Sequence, residues 1–97
     1  MESAERQVLV VDDNADIRTS LTKAFARAGW QPQAEAAPQA ALERLRRNDV
    51  AVMIVDLKLP GMSGMELIRA ARRLRPTVEV VVITGYGTIE AAVEAMK

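Results

Sequence analysis

A run of six apolar residues at positions 50–55 lies between two aspartates, Asp49 and Asp56. An uninterrupted apolar run of this length predicts a β-strand covered on both faces, as in parallel sheets with helices above and below. Asp56 stands where such a strand stops, and open α/β sheets bind their ligands at that carboxyl edge. Pro60 and Gly61 then indicate an irregular loop before the next helix. We therefore expect Asp56 to be a functional carboxylate.

Short extended runs alternate with helical patterns along the whole chain. The predicted strands cover residues 8–11, 30–36, 50–55 and 78–83, and the second is polar enough for the edge of a sheet. Each is followed by a helical pattern. Pro38 suits the first turn of the second helix, and Ser63 with Glu66 forms a capping box for the third. This order predicts a parallel α/β sheet with right-handed crossovers.

Composition narrows the chemistry that such a sheet can carry. The chain of 97 residues has the size of one domain, covering residues 1–97. It contains 13 basic and 13 acidic residues, so its net charge gives no case for binding nucleic acid or membranes. It has no cysteine and no histidine, which excludes thiolate and imidazole metal sites. Any metal would be a hard, oxygen-liganded ion such as Mg²⁺.

The N-terminal residues are polar, and the apolar runs are far too short to cross a bilayer. These features predict a cytoplasmic protein.

Three groups of polar residues follow predicted strands. They are the pair Asp12 and Asp13, then Asp56, then Thr84. Each one alone is ordinary at a turn or a helix start. If the first, third and fourth strands are parallel neighbours, however, all three groups meet at one sheet edge. Carboxylates, a hard metal and a hydroxyl donor suit phosphoryl transfer, with a carboxylate as nucleophile forming an acyl phosphate.

The motifs at these strand ends resemble those of the response-regulator receiver domains of two-component systems. They are Val-Leu-Val-Val-Asp12-Asp13-Asn14, Val-Asp56-Leu-Lys-Leu-Pro60-Gly-Met-Ser-Gly64 and Val-Val-Ile-Thr84-Gly-Tyr-Gly. The resemblance extends from about residue 7 to residue 97, and residues 83–97 are particularly similar to regulators of the nitrogen-regulation type, which act on sigma-54 promoters. It implies a flavodoxin-like (CheY-like) doubly wound parallel sheet with strand order 2-1-3-4.

The resemblance also implies a role for each site residue. Asp56 would accept a phosphoryl group from the phosphohistidine of a sensor histidine kinase. Asp13, Asp56 and the main-chain carbonyl of Lys58 would bind Mg²⁺ directly, and Asp12 would act nearby or through water. Thr84 would hydrogen-bond the phosphoryl group and move on activation.

The implied partners are the sensor kinase and an output domain or protein that regulates transcription. The domain itself would neither bind nucleic acid nor act as an enzyme, apart from self-catalysed phosphoryl transfer and dephosphorylation.

The sequence departs from the family pattern at its C-terminal end. The family carries a fifth strand, ending in an essential lysine, and a fifth helix, and neither can be assigned here. We therefore expect the receiver domain to be incomplete after Lys97, and Asp56 to be phosphorylated poorly in this form.

Two alternatives remain open on sequence grounds. The first is an aspartate-nucleophile phosphatase, although Lys58 occupies the place where such enzymes have a second acid. The second is a non-switching fragment that forms a homodimer or a swapped oligomer through the open edge of its sheet.

Overall fold

The fold was analysed in a computed structural model, which describes residues 6–56, 59 and 61–83. Seven elements alternate along this part of the chain. They are β1 (Gln7–Val11), α1 (Ala15–Arg27), β2 (Gln31–Glu35), α2 (Pro38–Arg47), β3 (Val52–Asp56), α3 (Gly64–Leu74) and β4 (Glu79–Ile83). The predicted helix after residue 88 lies outside the described residues.

The four strands form one parallel sheet in the order β2-β1-β3-β4. This confirms the predicted fold class and strand order, and it places the polar strand β2 at an edge. In the register, Val11 lies beside Val55 of β3, and Asp56 lies beside Ile83 of β4. Asp12 and Asp56 follow the paired residues Val11 and Val55. They therefore lie side by side at the carboxyl ends of two neighbouring strands.

Alternate residues of each central strand enter two separate apolar cores. On one face, Leu9, Met53 and Val55 pack with residues of α2 and α3, including Leu45 and Leu67. On the other face, the strands pack against α1. The buried residues of that second core are Val8, Val10, Val52, Ile54, Val81, Ile83, Leu21 and Phe25. Because both faces are covered, the central strands consist almost entirely of apolar residues, as the sequence predicted.

Local chemistry sets where the helices start and stop. The Ser63 hydroxyl accepts a hydrogen bond from the Glu66 amide at 3.2 Å, which confirms the predicted cap of α3. Pro38 occupies the first turn of α2, also as predicted. Gly29 adopts a φ of 90° just after α1, a left-handed conformation that costs glycine little. Residues close in sequence therefore set the start of α2 and of α3 and the end of α1.

The side chain of Arg75, just after α3, ties the C-terminal ends of two helices together. Its Nε donates to the main-chain oxygen of Leu45 in α2 at 2.7 Å, and its Nη1 lies 2.8 Å from Asp49 Oδ1. The contact satisfies a carbonyl that the end of a helix would otherwise leave without a partner. It lies at the edge of the sheet opposite to Asp56.

Candidate functional site: an acidic cluster at the carboxyl edge

Three aspartates meet where β1 and β3 end. One carboxylate oxygen from each of Asp12, Asp13 and Asp56 lies within 4.8 Å of those of the other two. Asp12 is buried, with 1% of its surface exposed, Asp56 is half-buried and Asp13 is exposed. The cluster therefore runs from the sheet interior to solvent, as a site that admits a small charged ligand requires.

The turn between β1 and α1 is held by short polar contacts. The Asn14 amide donates to Asp12 Oδ1 at 2.8 Å, and Asn14 Oδ1 accepts from the Ile17 amide at 3.1 Å, which caps α1. The amide of Asp12 itself donates to the Glu35 main-chain oxygen at 3.2 Å. The backbone of Asp12 is thus tied to strand β2, and its carboxylate is tied to the start of α1.

The environment of Asp12 disfavours its charged form. Burial raises the pKa of the Asp12 carboxyl above its ordinary value, and the nearby charges of Asp56 and Asp13 raise it further. The hydrogen bond from the Asn14 amide and the positive charge of Arg18 oppose this rise of the pKa without cancelling it. Three carboxylates held this closely concentrate negative charge at one end of the sheet.

The donor set fits a hard divalent cation. Among the described side chains, the buried oxygen Asp12 Oδ2 accepts no hydrogen bond. Buried polar atoms without a partner are rare in folded proteins and often mark the place of an ion or a water. Carboxylate oxygens are also the ligands that Mg²⁺ prefers. Asp12, Asp13 and Asp56 are therefore residues that could hold this ion.

The structure brings together three of the five predicted site residues. Asp12, Asp13 and Asp56 form the cluster, whereas Lys58 and Thr84 lie outside the described residues. Leu59, in the loop after β3, is buried in the core beside α2 and α3, and Gly61 has a φ of 83°. The loop therefore begins its path toward α3 anchored by a core side chain.

Arg18 belongs to this site but was not indicated by the sequence. Its Nη1 donates to the Asp12 main-chain oxygen at 2.8 Å, across six positions of sequence. An arginine in the first turn of an amphipathic helix is usually solvated, so composition and periodicity carried no signal for this contact.

Comparison with known proteins identifies the class. The family model "response regulator receiver domain" matches residues 8–97. The chain therefore belongs to the response-regulator receiver domain family, a family of signalling domains of two-component systems. The match covers most of the chain and includes all three aspartates of the acidic cluster.

Similar proteins include transcriptional regulators. The chain is 34% identical over 94 residues to the photosynthetic apparatus regulatory protein RegA of Rhodobacter capsulatus, covering 97% of the chain and 51% of RegA. It is 32% identical over 95 residues to the C4-dicarboxylate transport transcriptional regulatory protein DctD of Rhizobium meliloti, covering 98% of the chain and 21% of DctD. The chain thus spans about half the length, or less, of these curated relatives.

Solved structures share the fold. A response regulator from Burkholderia pseudomallei, solved with a phosphorylated aspartic acid, a calcium ion and citrate, superposes with a TM-score of 0.79 at 31% identity, over 94% of this chain and 54% of that one. The beryllofluoride-activated NtrC4 receiver domain dimer has a TM-score of 0.79 at 30% identity, over 94% of this chain and 75% of that one. The NtrC4 match, with matches to DctD and NtrX-like regulators, confirms the predicted resemblance to the nitrogen-regulation type.

The structure also bears on a membrane location. Among the described residues, no helix is both long enough and apolar enough to cross a bilayer.

Proposed function

We propose that the chain, over residues 1–97, is a phospho-acceptor receiver domain in which Asp56 is the phosphorylated residue. The acidic cluster carries this proposal, because it places a half-buried carboxylate beside two further carboxylates at the ligand-binding edge of a parallel sheet. The Burkholderia relative, which holds a phosphorylated aspartic acid and a divalent ion, supports the same assignment.

The chemistry requires a carboxylate nucleophile and compensation of negative charge. A carboxylate oxygen of Asp56 attacks the phosphorus of a phosphohistidine on a sensor histidine kinase. A P–O bond then forms as the P–N bond breaks, leaving an acyl phosphate on Asp56 and a free histidine on the kinase. Mg²⁺ supplies charge compensation in this transfer. Asp12, Asp13 and Asp56 would hold the ion, together with the main-chain carbonyl of Lys58.

Phosphorylation would act as a switch rather than as a catalytic turnover. The phosphoryl group carries a charge of about −1.5 to −2 at neutral pH and replaces the single negative charge of the Asp56 carboxylate. The negative charge beside Asp12 and Asp13 therefore rises by about one at most. We propose that Thr84 hydrogen-bonds this group and that the change reaches an output domain or protein which regulates transcription in the cytoplasm. The similarity to DctD, a transcriptional regulatory protein, supports this direction of signalling.

Treatment of the protein with acetyl phosphate and MgCl₂ tests the proposal. Mass spectrometry should show a gain of about 80 Da, one HPO₃, located on Asp56. Asp56→Asn should abolish this gain, whereas Asp16→Asn, an exposed change in the first turn of α1, should preserve it. A gain of mass that persists in Asp56→Asn would rule out Asp56 as the acceptor, and dependence on added MgCl₂ tests the metal role separately.

Self-association is a second candidate, and strand β4 favours it. Within the described residues, β4 pairs on one side only, with β3, and the side chain of Val82 is 39% exposed. An exposed apolar strand edge can pair with another chain. The NtrC4 receiver domain was solved as a dimer.

Light scattering with size-exclusion chromatography tests this candidate. If the β4 edge joins two copies, Val82→Lys should convert a dimer or a swapped oligomer to monomer, because a charge on an edge strand opposes pairing. Val80→Lys, at a half-buried position of the same strand, is unsuitable as a control because it perturbs the core. Exposed Met65→Lys on α3 provides the matched apolar-to-lysine control. A monomeric wild-type protein would exclude this candidate.

A further inference from the structure

We infer that Arg18 is a positioning residue for the metal-binding carboxylates, an inference that rests on the proposed function. The guanidinium Nη1 of Arg18 donates to the main-chain oxygen of Asp12 at 2.8 Å. That oxygen belongs to the peptide unit between Asp12 and Asp13. One hydrogen bond therefore restrains the backbone that carries two of the three clustered carboxylates.

The other polar groups of Asp12 show why this contact matters. The Asp12 amide donates to the Glu35 main-chain oxygen at 3.2 Å. Asp12 Oδ1 accepts from the Asn14 amide at 2.8 Å, and the Asp12 main-chain oxygen accepts from Arg18 at 2.8 Å. The remaining polar atom, Oδ2, is buried and accepts no hydrogen bond from the described side chains and backbone. The turn is thus held so that this oxygen is the group left for a ligand.

Arg18 is itself well placed to restrain the turn. Its own amide donates to the Asn14 main-chain oxygen at 3.1 Å, in the first turn of α1, and the residue is half-buried. Because the side chain is half-buried, it has less rotamer freedom to lose on forming this hydrogen bond than a fully exposed arginine would have. The Arg18 contact therefore links the rigid start of α1 to the end of β1.

Charge and geometry make opposite contributions here, which makes the inference testable by sign. The positive charge of Arg18 repels a divalent cation at the cluster, so removing the charge alone would tighten Mg²⁺ binding. Removing the hydrogen bond frees the peptide between Asp12 and Asp13, which weakens binding because residues that orient metal ligands support affinity. If positioning dominates, a neutral variant binds Mg²⁺ more weakly even though a repulsive charge is gone.

Isothermal titration of the protein with MgCl₂ separates these effects. We expect Arg18→Met to bind Mg²⁺ about tenfold more weakly than wild type, in the range seen when partners of metal ligands are removed. Arg18→Lys retains the charge and a donor and should restore affinity to within about twofold of wild type. Arg27→Met makes the same substitution in the last turn of α1, at an exposed position, and should leave affinity unchanged.

Thermal unfolding in EDTA provides the second readout. A purely structural role for Arg18 would lower the melting temperature of Arg18→Met without weakening Mg²⁺ binding by the folded fraction. Tighter or unchanged binding by Arg18→Met, or equal loss in the lysine and methionine variants, would overturn the inference. If Arg18→Met does not fold, Arg18→Lys and Arg18→Gln replace it. Mg²⁺ affinity that is close to wild type in Arg18→Lys and weakened in Arg18→Gln would support the inference. Equal Mg²⁺ affinities in these two variants would overturn it. Absence of Mg²⁺ binding by wild type would instead contradict the proposed function.

Discussion

Replacing Asp12 by asparagine should stabilise the metal-free domain while removing most of its response to Mg²⁺. The carboxylate of Asp12 is buried, and two like charges lie close to it. Its Oδ2 has no hydrogen-bond partner among the described residues. Asparagine preserves the acceptor that the Asn14 amide uses. Its amide nitrogen would replace Oδ2 and could donate to a neighbouring carboxylate, so repulsion becomes a hydrogen bond.

The expected size follows from the geometry. Two unit charges 4.8 Å apart repel by about 1 kcal/mol at the dielectric constant of water and by about 3.5 kcal/mol at an effective value of about 20. Asp13 is exposed and Asp56 is half-buried, so solvent screens much of this repulsion. We expect a net gain of about 1–2 kcal/mol in the free energy of unfolding, or about 5–10 °C in melting temperature for a domain of this size.

Circular dichroism melts and urea titrations, in EDTA and in saturating MgCl₂, measure both effects. Wild type should gain stability on adding Mg²⁺, because a ligand that binds only the folded state shifts the unfolding equilibrium. Asp12→Asn should gain much less. Asp16→Asn removes an exposed carboxylate from the first turn of α1, where negative charge is favourable, so it should slightly destabilise the protein and preserve the Mg²⁺ response.

Two results would refute this reasoning. Destabilisation by Asp12→Asn in EDTA would show that the buried carboxylate contributes to folding instead of opposing it. Equal stabilisation of wild type and Asp12→Asn by Mg²⁺ would show that the ion does not bind at the acidic cluster.

Three further expectations concern pH and the segment that leads into α3. The stability advantage of Asp12→Asn in EDTA should disappear as pH falls below 3.8, the ordinary pKa of the carboxyl group. Because the pKa of Asp12 is raised in the folded state, wild type loses stability as pH rises from 3.8 through the folded-state pKa. Unfolding curves of both proteins across this pH range check the expectation, and a constant difference in stability would contradict it. Ser63→Ala should cost about 1 kcal/mol in urea unfolding because it removes the hydroxyl that caps α3, whereas Ser20→Ala, at an exposed position inside α1, should be nearly neutral. Gly61→Ala should cost about 1–2 kcal/mol in the same assay, because Gly61 has a φ of 83°. Among the described residues, no atom lies within 4 Å of an added Cβ, so a larger loss would show that the strain is not confined to the left-handed backbone.

The order of elements and several of their boundaries follow from local sequence. Pro38 and Ser63 each influence the start of a helix through groups within one helical turn. These helix starts could therefore be predicted without knowledge of the fold. The apolar run before Asp56 indicated a strand buried on both faces, because neither face of such a strand would carry a polar residue. In the structure β3 begins two residues after the run does and includes Asp56 as its last residue, since pairing with β1 and β4 decides where the ladder starts and ends.

The sequence also predicted which three carboxylates belong to the site and that they lie close together. Strand ends that share one edge of a parallel sheet bring Asp12, Asp13 and Asp56 together whenever β1 and β3 are neighbours. Their different burial was not predictable. Only packing on both faces of the sheet makes Asp12 inaccessible while leaving Asp13 in solvent.

The sequence by itself therefore determined the alternation of strands and helices, the start of α2 at Pro38, the cap of α3 and the residue types available to a phosphoryl site. Tertiary structure alone decided that Asp12 Oδ2 is buried with no partner in the described part of the chain, and that Arg18 holds the peptide after Asp12. The physical reason is range. Caps and periodicity act over three or four residues. The burial of Asp12 and the charge of Asp56 beside it depend on strands β1 and β3, which the chain brings together from residues as far apart as Val11 and Val55. The Arg18 contact spans six positions, from the end of a strand to the next helix, which is beyond the reach of a helical period.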